Sequence, residues 1–467
     1  MRHILILLAL AATILSLNAL AITENPCKPT QIHTALSHAY TSDSQLTSSP
    51  LKIIFHTSQA CPGAHLKVVT PSGQKIHVNS TTVDNFSTKY QGTPYSTFVH
   101  VFDLPSLPFE QAYHYTCFSN AQNGDPTGPF EFYLTSPTAT KNTTTVLMYG
   151  DMGYGSRTYK MVETITNLAK NNFSKIAAVV HYGDIAYTLE ADGGKHGDRF
   201  MNGIQPIAAR LPYMILPGNH EVRQNFSNVA MRFRMPRHEV SKNHLFSYNI
   251  GKIHFVHFSF DLLSVYNDLL DITTDFLKQD LKEANANRAH RPWIVVTSHR
   301  PIWLAGMPSY ENRKFDANHN PEDCIPECHI PAYIYSAIEK ILYEHKIDLY
   351  IAGHIHHYER MFPLYRKKIM PYKKHAGDAR HHYIENPQAP VHILQGSPVA
   401  GVVADDTSYP AKGIAAAKGL VSSFAAIHAI NGTHLLFENI ISSTGKVSDF
   451  MYLIKKKPSS LNIKTFI

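Results

Sequence analysis

Five short motifs in the middle of the chain each place Asp, Asn or His at a turn that follows an apolar run. They are Gly150-Asp151-Met152-Gly153, Gly183-Asp184-Ile185-Ala186-Tyr187, Gly218-Asn219-His220-Glu221, Val296-Thr297-Ser298-His299 and Gly353-His354-Ile355-His356. Carboxylate, amide and imidazole groups are ligands for hard and borderline metal ions. A twisted α/β sheet collects such turns at the carboxyl ends of its strands, where ligands bind. The motifs therefore predict a metal centre built from loops along one sheet edge.

The residue types suit a pair of metal ions that hydrolyses phosphate esters. Two ions about 3.5–4 Å apart can bind the attacking and the leaving oxygen of a phosphoryl group. A carboxylate bridges such a pair, and Asp184 is the candidate bridge. Asn219 offers a neutral oxygen. The histidines of the last two motifs offer neutral imidazoles, so the site does not repel an anionic substrate.

Tyr187 distinguishes this set from a general two-metal phosphoesterase, which carries Asp-x-His in its first motif and Gly-Asp-x-x-Asp in its second. Here Gly153 takes the place of the histidine and Tyr187 takes the place of the second aspartate. A phenolate is a hard, strongly donating ligand that favours trivalent iron over zinc or magnesium. Tyrosinate bound to ferric iron absorbs visible light, so the sequence predicts a coloured protein.

On these motifs the chain resembles the purple acid phosphatases, in the long multidomain form of animals and protists. Further matching segments are 197–201, 225–228, 357–360 and 390–393. The resemblance implies a binuclear centre of Fe(III) and a divalent metal, which is Zn, Mn or Fe. The implied ferric ligands are Asp151, Tyr187 and His356, the implied divalent-metal ligands are Asn219, His299 and His354, and the implied bridge is Asp184. A metal-bound hydroxide would then hydrolyse phosphate monoesters, the reaction of an acid phosphatase.

Two histidines outside this ligand set are expected to act on the substrate. His220 resembles the substrate-facing histidine of the family, and Glu221 is expected to orient its ring; a purely structural histidine is the alternative. His329 lies shortly after Asp323-Cys324, where animal-type members carry a second phosphate-facing histidine. The alternative for His329 is a surface residue on a loop closed by a disulfide.

The texture of the sequence changes along the chain and predicts separate domains. Short β-like runs over residues 28–135 predict an all-β, fibronectin III-like sandwich. Strand-like runs alternate with helical patterns over 145–385, and the clearest helices are predicted at 161–170, 276–287 and 334–344. Strands return over 386–456. The second part is therefore predicted to be an α/β metallophosphoesterase sandwich, two sheets flanked by helices, which the C-terminal strands complete.

The N-terminus and the cysteines bear on the compartment. Residues 1–21 contain an apolar run that ends in small residues, which predicts a cleaved signal peptide; an uncleaved anchor is the alternative. The cysteines are Cys27, Cys61, Cys117, Cys324 and Cys328. Two of the first three are expected to pair; the last two are expected either to pair or to bind zinc with His329. With six Asn-x-Ser/Thr sequons, these features predict a glycosylated protein that is secreted or endolysosomal.

Composition limits the partners. The net charge of +7 over 467 residues is mild, and the basic residues form no stripe, so a nucleic-acid polymer is not an expected partner. No stretch beyond the leader predicts a membrane span. Small phosphorylated substrates are expected, phosphomonoesters first and nucleotides among the candidates, with the protein a monomer or homodimer. The alternatives are a phosphodiesterase or nucleotide pyrophosphatase on the same site, and a non-catalytic or redox-active iron protein.

Overall fold

The structure is a computed structural model that describes residues 25–37, 51–119, 126–135, 143–170, 176–305, 330–396 and 413–455. The predicted signal peptide at 1–21 lies outside these residues. None of the helices in the described ranges combines the length and hydropathy of a membrane span.

The N-terminal part is all-β and contains two four-stranded sheets. Its strands are β1 (Thr30–Leu36), β2 (Leu51–Thr57), β3 (His65–Val69), β4 (Lys75–Asn79), β5 (Thr82–Tyr90), β6 (Thr93–Asp103), β7 (Gln111–Phe118) and β8 (Thr127–Leu134). One sheet has the order β1-β2-β6-β5 and the other β4-β3-β7-β8. Apolar side chains from both sheets, among them Ile54 and Leu66, are buried in a common core. The predicted sandwich is confirmed, and its fibronectin III-like character stays a prediction.

The second part contains two larger sheets. Their strands are β9 (Thr144–Tyr149), β10 (Ile176–Tyr182), β11 (Tyr213–Leu216), β12 (Leu245–Ile250), β13 (Ile253–Phe258), β14 (Trp293–Thr297), β15 (Leu349–Ala352), β16 (Tyr358–Tyr365), β17 (Lys368–Ile369), β18 (Tyr383–Glu385), β19 (Val391–Gln395), β20 (Ala415–Gly419), β21 (Ser423–Ala429), β22 (His434–Ile441) and β23 (Val447–Ile454). The seven-stranded sheet has the order β11-β10-β9-β21-β22-β23-β18. The eight-stranded sheet has the order β12-β13-β14-β15-β19-β16-β17, with β20 paired to β16.

Helices accompany these sheets, as the predicted α/β sandwich requires. The helices are α1 (Ser156–Lys170), α2 (Lys195–Ala208), α3 (Ser227–Arg232), α4 (His238–Ser241), α5 (Phe260–Val265), α6 (Leu270–Ala286) and α7 (Ala332–Glu344). Short 3-10 turns lie at Asn219–Glu221, Arg223–Phe226 and Asn267–Leu269. Helix α2 buries Phe200, Met201, Ile204 and Ile207, the three- and four-residue spacing of one helix face. The three helices predicted from periodicity lie within α1, α6 and α7, apart from Asn287, which follows α6.

Parallel pairing brings the motif loops to one edge of each sheet. β9, β10 and β11 are parallel neighbours, and so are β13, β14 and β15. The carboxyl ends of parallel strands point the same way, so the loops that follow them are neighbours. On its other side β9 pairs antiparallel with β21, which joins the C-terminal strands to this sheet.

A disulfide links Cys27 to Cys61 and closes the start of the N-terminal part. This confirms the predicted pairing of two of the first three cysteines, and Cys117 is a free thiol buried in the core. Cys324 and Cys328 lie outside the described residues. A disulfide agrees with an oxidising compartment.

The N-terminal sandwich is joined to α2 by a buried polar network. Arg232 is completely buried and donates to Asp198 Oδ1 at 2.8 Å and to Gln31 Oε1 at 2.9 Å. Tyr95, on β6, donates to the same Asp198 oxygen at 2.6 Å. A buried guanidinium needs its partners, because removing one leaves an uncompensated charge. The network therefore fixes the sandwich against the second part of the chain.

Candidate metal centre

The predicted ligands all lie in loops just after strands of the two large sheets. Asp151 follows β9, Asp184 and Tyr187 follow β10, and Asn219 follows β11. His299 follows β14, and His354 and His356 follow β15. The structure brings these loops together, so residues up to 205 positions apart in the chain become neighbours. The aspartates and histidines among them form two groups that share Asp184, and Asn219 and Tyr187 each contact a histidine of one group.

The first group contains Asp184, Asn219, His299 and His354. Nε2 of His299 lies 3.2 Å from Asp184 Oδ1 and 2.9 Å from Asn219 Oδ1. Nδ1 of His354 lies 2.9 Å from the same oxygen of Asn219. The side chains of these residues are buried, so a cation bound among them would be shielded from water.

The second group contains Asp151, Tyr187 and His356, together with the shared Asp184. Nε2 of His356 lies 3.5 Å from Asp151 Oδ1 and contacts the phenol oxygen of Tyr187. The carboxylate of Asp151 also accepts the backbone N–H of His354, at 3.0 and 2.8 Å from its two oxygens. That contact ties the loop after β15 to the loop after β9, across the two sheets.

The backbone of these loops explains the glycines in the motifs. Gly183 has φ +91°, and a Cβ there would lie 2.3 Å from Nδ1 of His299. A Cβ at Gly353 would lie 2.2 Å from Asp151 Oδ2. Asp151, Asp184 and His354 themselves have positive φ, which is costly for residues with a side chain and is concentrated at functional sites. Packing of the loops therefore holds the candidate ligands in strained conformations.

Hydrogen bonding decides which ring atom of His299 faces the site. Its Nδ1–H donates to the carbonyl oxygen of Tyr182 at 3.0 Å, which leaves Nε2 directed at Asp184 and Asn219. Fixing one ring nitrogen in this way is how proteins orient a metal-ligating imidazole. A nitrogen facing two oxygen acceptors needs either a proton or a cation between them. The donor set thus fits a metal ion.

The buried charges around Asp184 act strongly on one another. Burial by itself raises the pKa of Asp184, but the charges of His299 and His220 outweigh it and hold that pKa well below its usual range. Burial lowers the pKa of His299, yet the Asp184 carboxylate prevails and raises it to about 10. Burial and the neighbouring carboxylates raise the pKa of the Tyr187 phenol well above its usual value. A phenolate at this position therefore calls for a cation beside it.

His220 lies at the edge of the group. Its backbone N–H donates to Asp184 Oδ1 at 3.1 Å, and its Nε2 lies 3.9 Å from Asp184 Oδ2. The ring packs edge-on against Tyr187 with the ring centres 4.6 Å apart, and 28% of the side chain is exposed. His220 thus stands between the candidate ligands and solvent.

Glu221 has a different role from the one expected of it. Its two carboxylate oxygens accept the backbone N–H groups of Asp184, Ile185 and Gly218, all at 2.9 Å. These contacts hold the loop that carries the bridge candidate, whereas the motif predicted that Glu221 orients the ring of His220. A motif shows which residues are near in sequence, but the backbone N–H groups that a carboxylate accepts are identified only when the loops are assembled.

Sequence reasoning also missed an arginine beside the site. Arg300 donates to Asp261 Oδ1 at 2.6 Å, and both side chains are completely buried. Nη1 of Arg300 lies 3.2 Å from Nε2 of His354, so the buried guanidinium packs directly behind a candidate ligand. The available signal was that Arg300 directly follows the candidate ligand His299 in the sequence. Asp261 also lies just after a strand, β13, but its neighbours in the sequence form no recognisable metal-binding motif.

His329 lies outside the described residues, with the rest of the segment 306–329. Its assignment as a phosphate-facing residue, and the alternative zinc site with Cys324 and Cys328, stay predictions.

Comparisons with known proteins agree with this geometry. The calcineurin-like phosphoesterase family matches residues 144–358. Acid phosphatase type 7 of Danio rerio is 33% identical over 328 residues, which cover 66% of this chain and 68% of that protein. Acid phosphatase type 7 of Homo sapiens is 33% identical over 284 residues, covering 60% and 61%. Purple acid phosphatase 23 of Arabidopsis thaliana is 26% identical over 314 residues, covering 59% and 60%. The chain belongs to the purple acid phosphatase family.

The likeness extends to a solved structure. Purple acid phosphatase PPD1 from yellow lupin, Lupinus luteus, matches 93% of this chain and 75% of its own, with a TM-score of 0.68 and 17% identity. At that identity the match bears on the fold alone. The relatives' names and the phosphoesterase domain identify this family member as a phosphatase enzyme whose substrates are small phosphate esters. The alignments span 60% to 68% of the lengths of the three relatives, so its individual substrates are a matter for proposal.

Proposed function

We propose that this protein is an acid phosphatase that hydrolyses phosphate monoesters at a binuclear Fe(III)–M(II) centre, where M is Zn, Mn or Fe. The observation that carries the proposal is the sharing of Asp184 between two groups of candidate ligands. One carboxylate between two cation sites is the arrangement that a two-metal hydrolase requires. The secreted or endolysosomal route, N-glycosylation and a monomeric or homodimeric state belong to the same proposal.

Asp184 is the proposed bridge, and the other six residues divide between the two metals by their contacts. Asn219, His299 and His354 are proposed to hold the divalent metal, because the imidazole nitrogens meet at the amide oxygen of Asn219. The remaining ligands, Asp151, Tyr187 and His356, are proposed to hold Fe(III), since phenolate and carboxylate are hard donors. When bound, the two cations would supply a water nucleophile of lowered pKa and would neutralise charge on the phosphoryl oxygens.

Three residues outside the proposed ligand set have further roles. His220 is proposed to hydrogen-bond the substrate and to give the leaving oxygen its proton, since its ring lies at the solvent edge beside Tyr187 and Asp184. Glu221 keeps the Asp184 loop in place through backbone N–H groups. His329 is proposed as a second phosphate-facing residue on the family resemblance alone.

The test joins a spectrum to an assay. Purified protein is expected to show a broad visible absorption band and to hydrolyse p-nitrophenyl phosphate, with an acidic optimum. The band should vanish in Tyr187→Phe and persist in Tyr182→Phe, a buried phenol close to the site but outside the proposed ligand set. A colourless and active enzyme would contradict the ferric assignment. A coloured protein inert on a panel of phosphate monoesters would contradict the phosphatase proposal, and a preference for bis(p-nitrophenyl) phosphate would favour a phosphodiesterase.

A further inference from the structure

The β5–β6 hairpin of the N-terminal sandwich rests one face on the catalytic part of the chain. Along β5, buried or partly buried residues alternate with exposed ones. The inward residues are Asp84, Phe86, Thr88 and Tyr90, and the outward residues are Val83, Asn85, Ser87 and Lys89. A period of two is that of a strand with one covered face. The covered face lies against the segment that follows the Gly-Asn-His-Glu motif.

Three hydrogen bonds join the end of β5 to two consecutive residues of that segment. Thr88 Oγ1 donates to Gln224 Oε1 at 3.0 Å, and Gln224 Nε2 donates to the carbonyl of Lys89 at 2.9 Å. Arg223 Nη1 donates to the phenol oxygen of Tyr90 at 2.8 Å. Gln224 is therefore held by donor and acceptor together, a pairing that fixes both its position and its orientation.

The segment so held has a strained backbone. Gln224, Asn225 and Phe226 have φ of 51°, 56° and 58°, three successive left-handed residues, and none is glycine. Such residues normally occur singly, because Cβ approaches the following carbonyl oxygen. A run of three persists only when outside contacts hold it. The hydrogen bonds from β5 hold Gln224, the first of the three.

This strained run begins four residues after His220. Between them lie only Glu221, whose carboxylate anchors the Asp184 loop, and the residues Val222 and Arg223. In the chain, His220 therefore lies between two anchored segments. One is the turn whose Glu221 holds the Asp184 loop, and the other is the strained run that hydrogen-bonds to β5.

We propose that the β5–β6 hairpin is a positioning element for His220. By holding Arg223 and Gln224, it keeps the His220 ring against Tyr187, where it meets the leaving oxygen of the substrate. The inference rests on the proposed function, in which His220 protonates that oxygen. The N-terminal sandwich would then contribute to catalysis through Arg223 and Gln224, neither of which is a candidate metal ligand.

Thr88→Val tests the proposal by removing one hydroxyl and keeping the shape of the side chain. Protonation matters most for a poor leaving group, so kcat/KM for an alkyl phosphate should fall about fivefold, the rate equivalent of one hydrogen bond. The value for p-nitrophenyl phosphate, whose leaving group needs little protonation, should change less than about twofold. Tyr90→Phe should act in the same direction, and Thr88→Ser should restore activity.

Thr82→Val is the matched control. It makes the same substitution on the same strand, at an exposed position away from the strained segment. It should leave kcat/KM unchanged for both substrates. Iron content, the second metal and the melting temperature are measured for every variant. A Thr88→Val loss that is equal for both substrates, or one that follows loss of metal, would overturn the proposal.

A double-mutant cycle separates this inference from the proposed function. In a His220→Ala background, Thr88→Val should have almost no further effect, because the two act through one ring. Full additivity would mean that the hairpin acts elsewhere and would overturn the inference while leaving the proposed function intact. If His220→Ala itself treats alkyl and p-nitrophenyl phosphate alike, the role of His220 in the proposed function fails first.

Discussion

The two large sheets contribute different chemistry to the candidate site. The loops after β9, β10 and β11 of the seven-stranded sheet supply oxygen donors only, from two carboxylates, a phenol and an amide. The loops after β14 and β15 of the eight-stranded sheet supply imidazole nitrogens only. Each group of candidate ligands draws on both sheets. Neither sheet can therefore bind a metal pair by itself, and a bound pair would fasten one to the other.

The two sheets also differ in the charge of the candidate ligands that they supply. The formal negative charge lies on the oxygen side, in Asp151 and Asp184, and this is the side that would set the preference for a trivalent ion. The imidazole side adds ligands without adding charge, so a phosphate dianion can approach. Substitutions on the two sides should therefore have different consequences.

The largest effect is expected where the two groups meet. Asp184→Ala should lose both metals and lower kcat by more than about 10³-fold, because no remaining residue bridges the groups. Metal analysis and steady-state kinetics on the same sample check this. Asp184→Asn, which keeps the shape but not the charge, should also lose metal. Near-normal turnover in Asp184→Ala would exclude the bridging role.

Substitution on the imidazole side should divide the pair. His299→Ala should lose the divalent metal, keep iron and keep the visible band, while kcat falls by about 10²- to 10³-fold through lost electrostatic stabilisation. Iron and second-metal contents, with the absorption spectrum, decide it. Ser298→Ala, next to it in the chain, is the control expected to retain both metals. Bleaching by His299→Ala would break the assignment of oxygen and nitrogen donors to separate ions.

Substitution on the oxygen side should do the reverse. Tyr187→Phe should abolish the visible band and lower kcat by about tenfold, because Asp151, Asp184 and His356 remain to hold an ion there. The second-metal content should be unchanged. An intact band in Tyr187→Phe would remove the phenolate from the ferric site.

The last prediction concerns stability in acid, and both sheets contribute to it. Burial lowers the pKa of His181 on β10 to about 3, and that of His257 on β13 and His392 on β19 also to about 3. The unfolded chain protonates these rings below about pH 6.5, whereas the folded protein does not until about pH 3, so stability falls as the pH drops through that window. The slope should be up to about 1.4 kcal/mol per pH unit for each ring.

Urea unfolding of the metal-loaded protein at pH 7, 6 and 5 measures that slope. His392→Leu should reduce it by about one proton in the same window. A free energy of unfolding that does not change with pH would mean that these rings become charged inside the folded protein.

The candidate ligands and the polar contacts that support them differ in how far the sequence predicts them. The candidate ligands were identifiable because each lies in a short motif just after a strand-like run, and parallel pairing then brings the loops together. The Arg300–Asp261 pair and the backbone role of Glu221 depend on loops from different strands meeting. The contact between Thr88 and Gln224 joins residues 136 positions apart and has no local pattern. Local periodicity predicts elements, and long-range polar contacts follow only from their assembly.

The order of strands in the seven-stranded sheet has a consequence for synthesis. β9, which precedes Asp151, lies between β10 and β21, and β21 begins at Ser423. While the chain is being translated, one edge of β9 has no partner until that strand leaves the ribosome. A chain that stopped just before Ser423 would contain every predicted metal ligand and still lack the neighbour of the strand that carries the first of them. The sheet beside the first candidate ligand is therefore complete only once β21 has been synthesised.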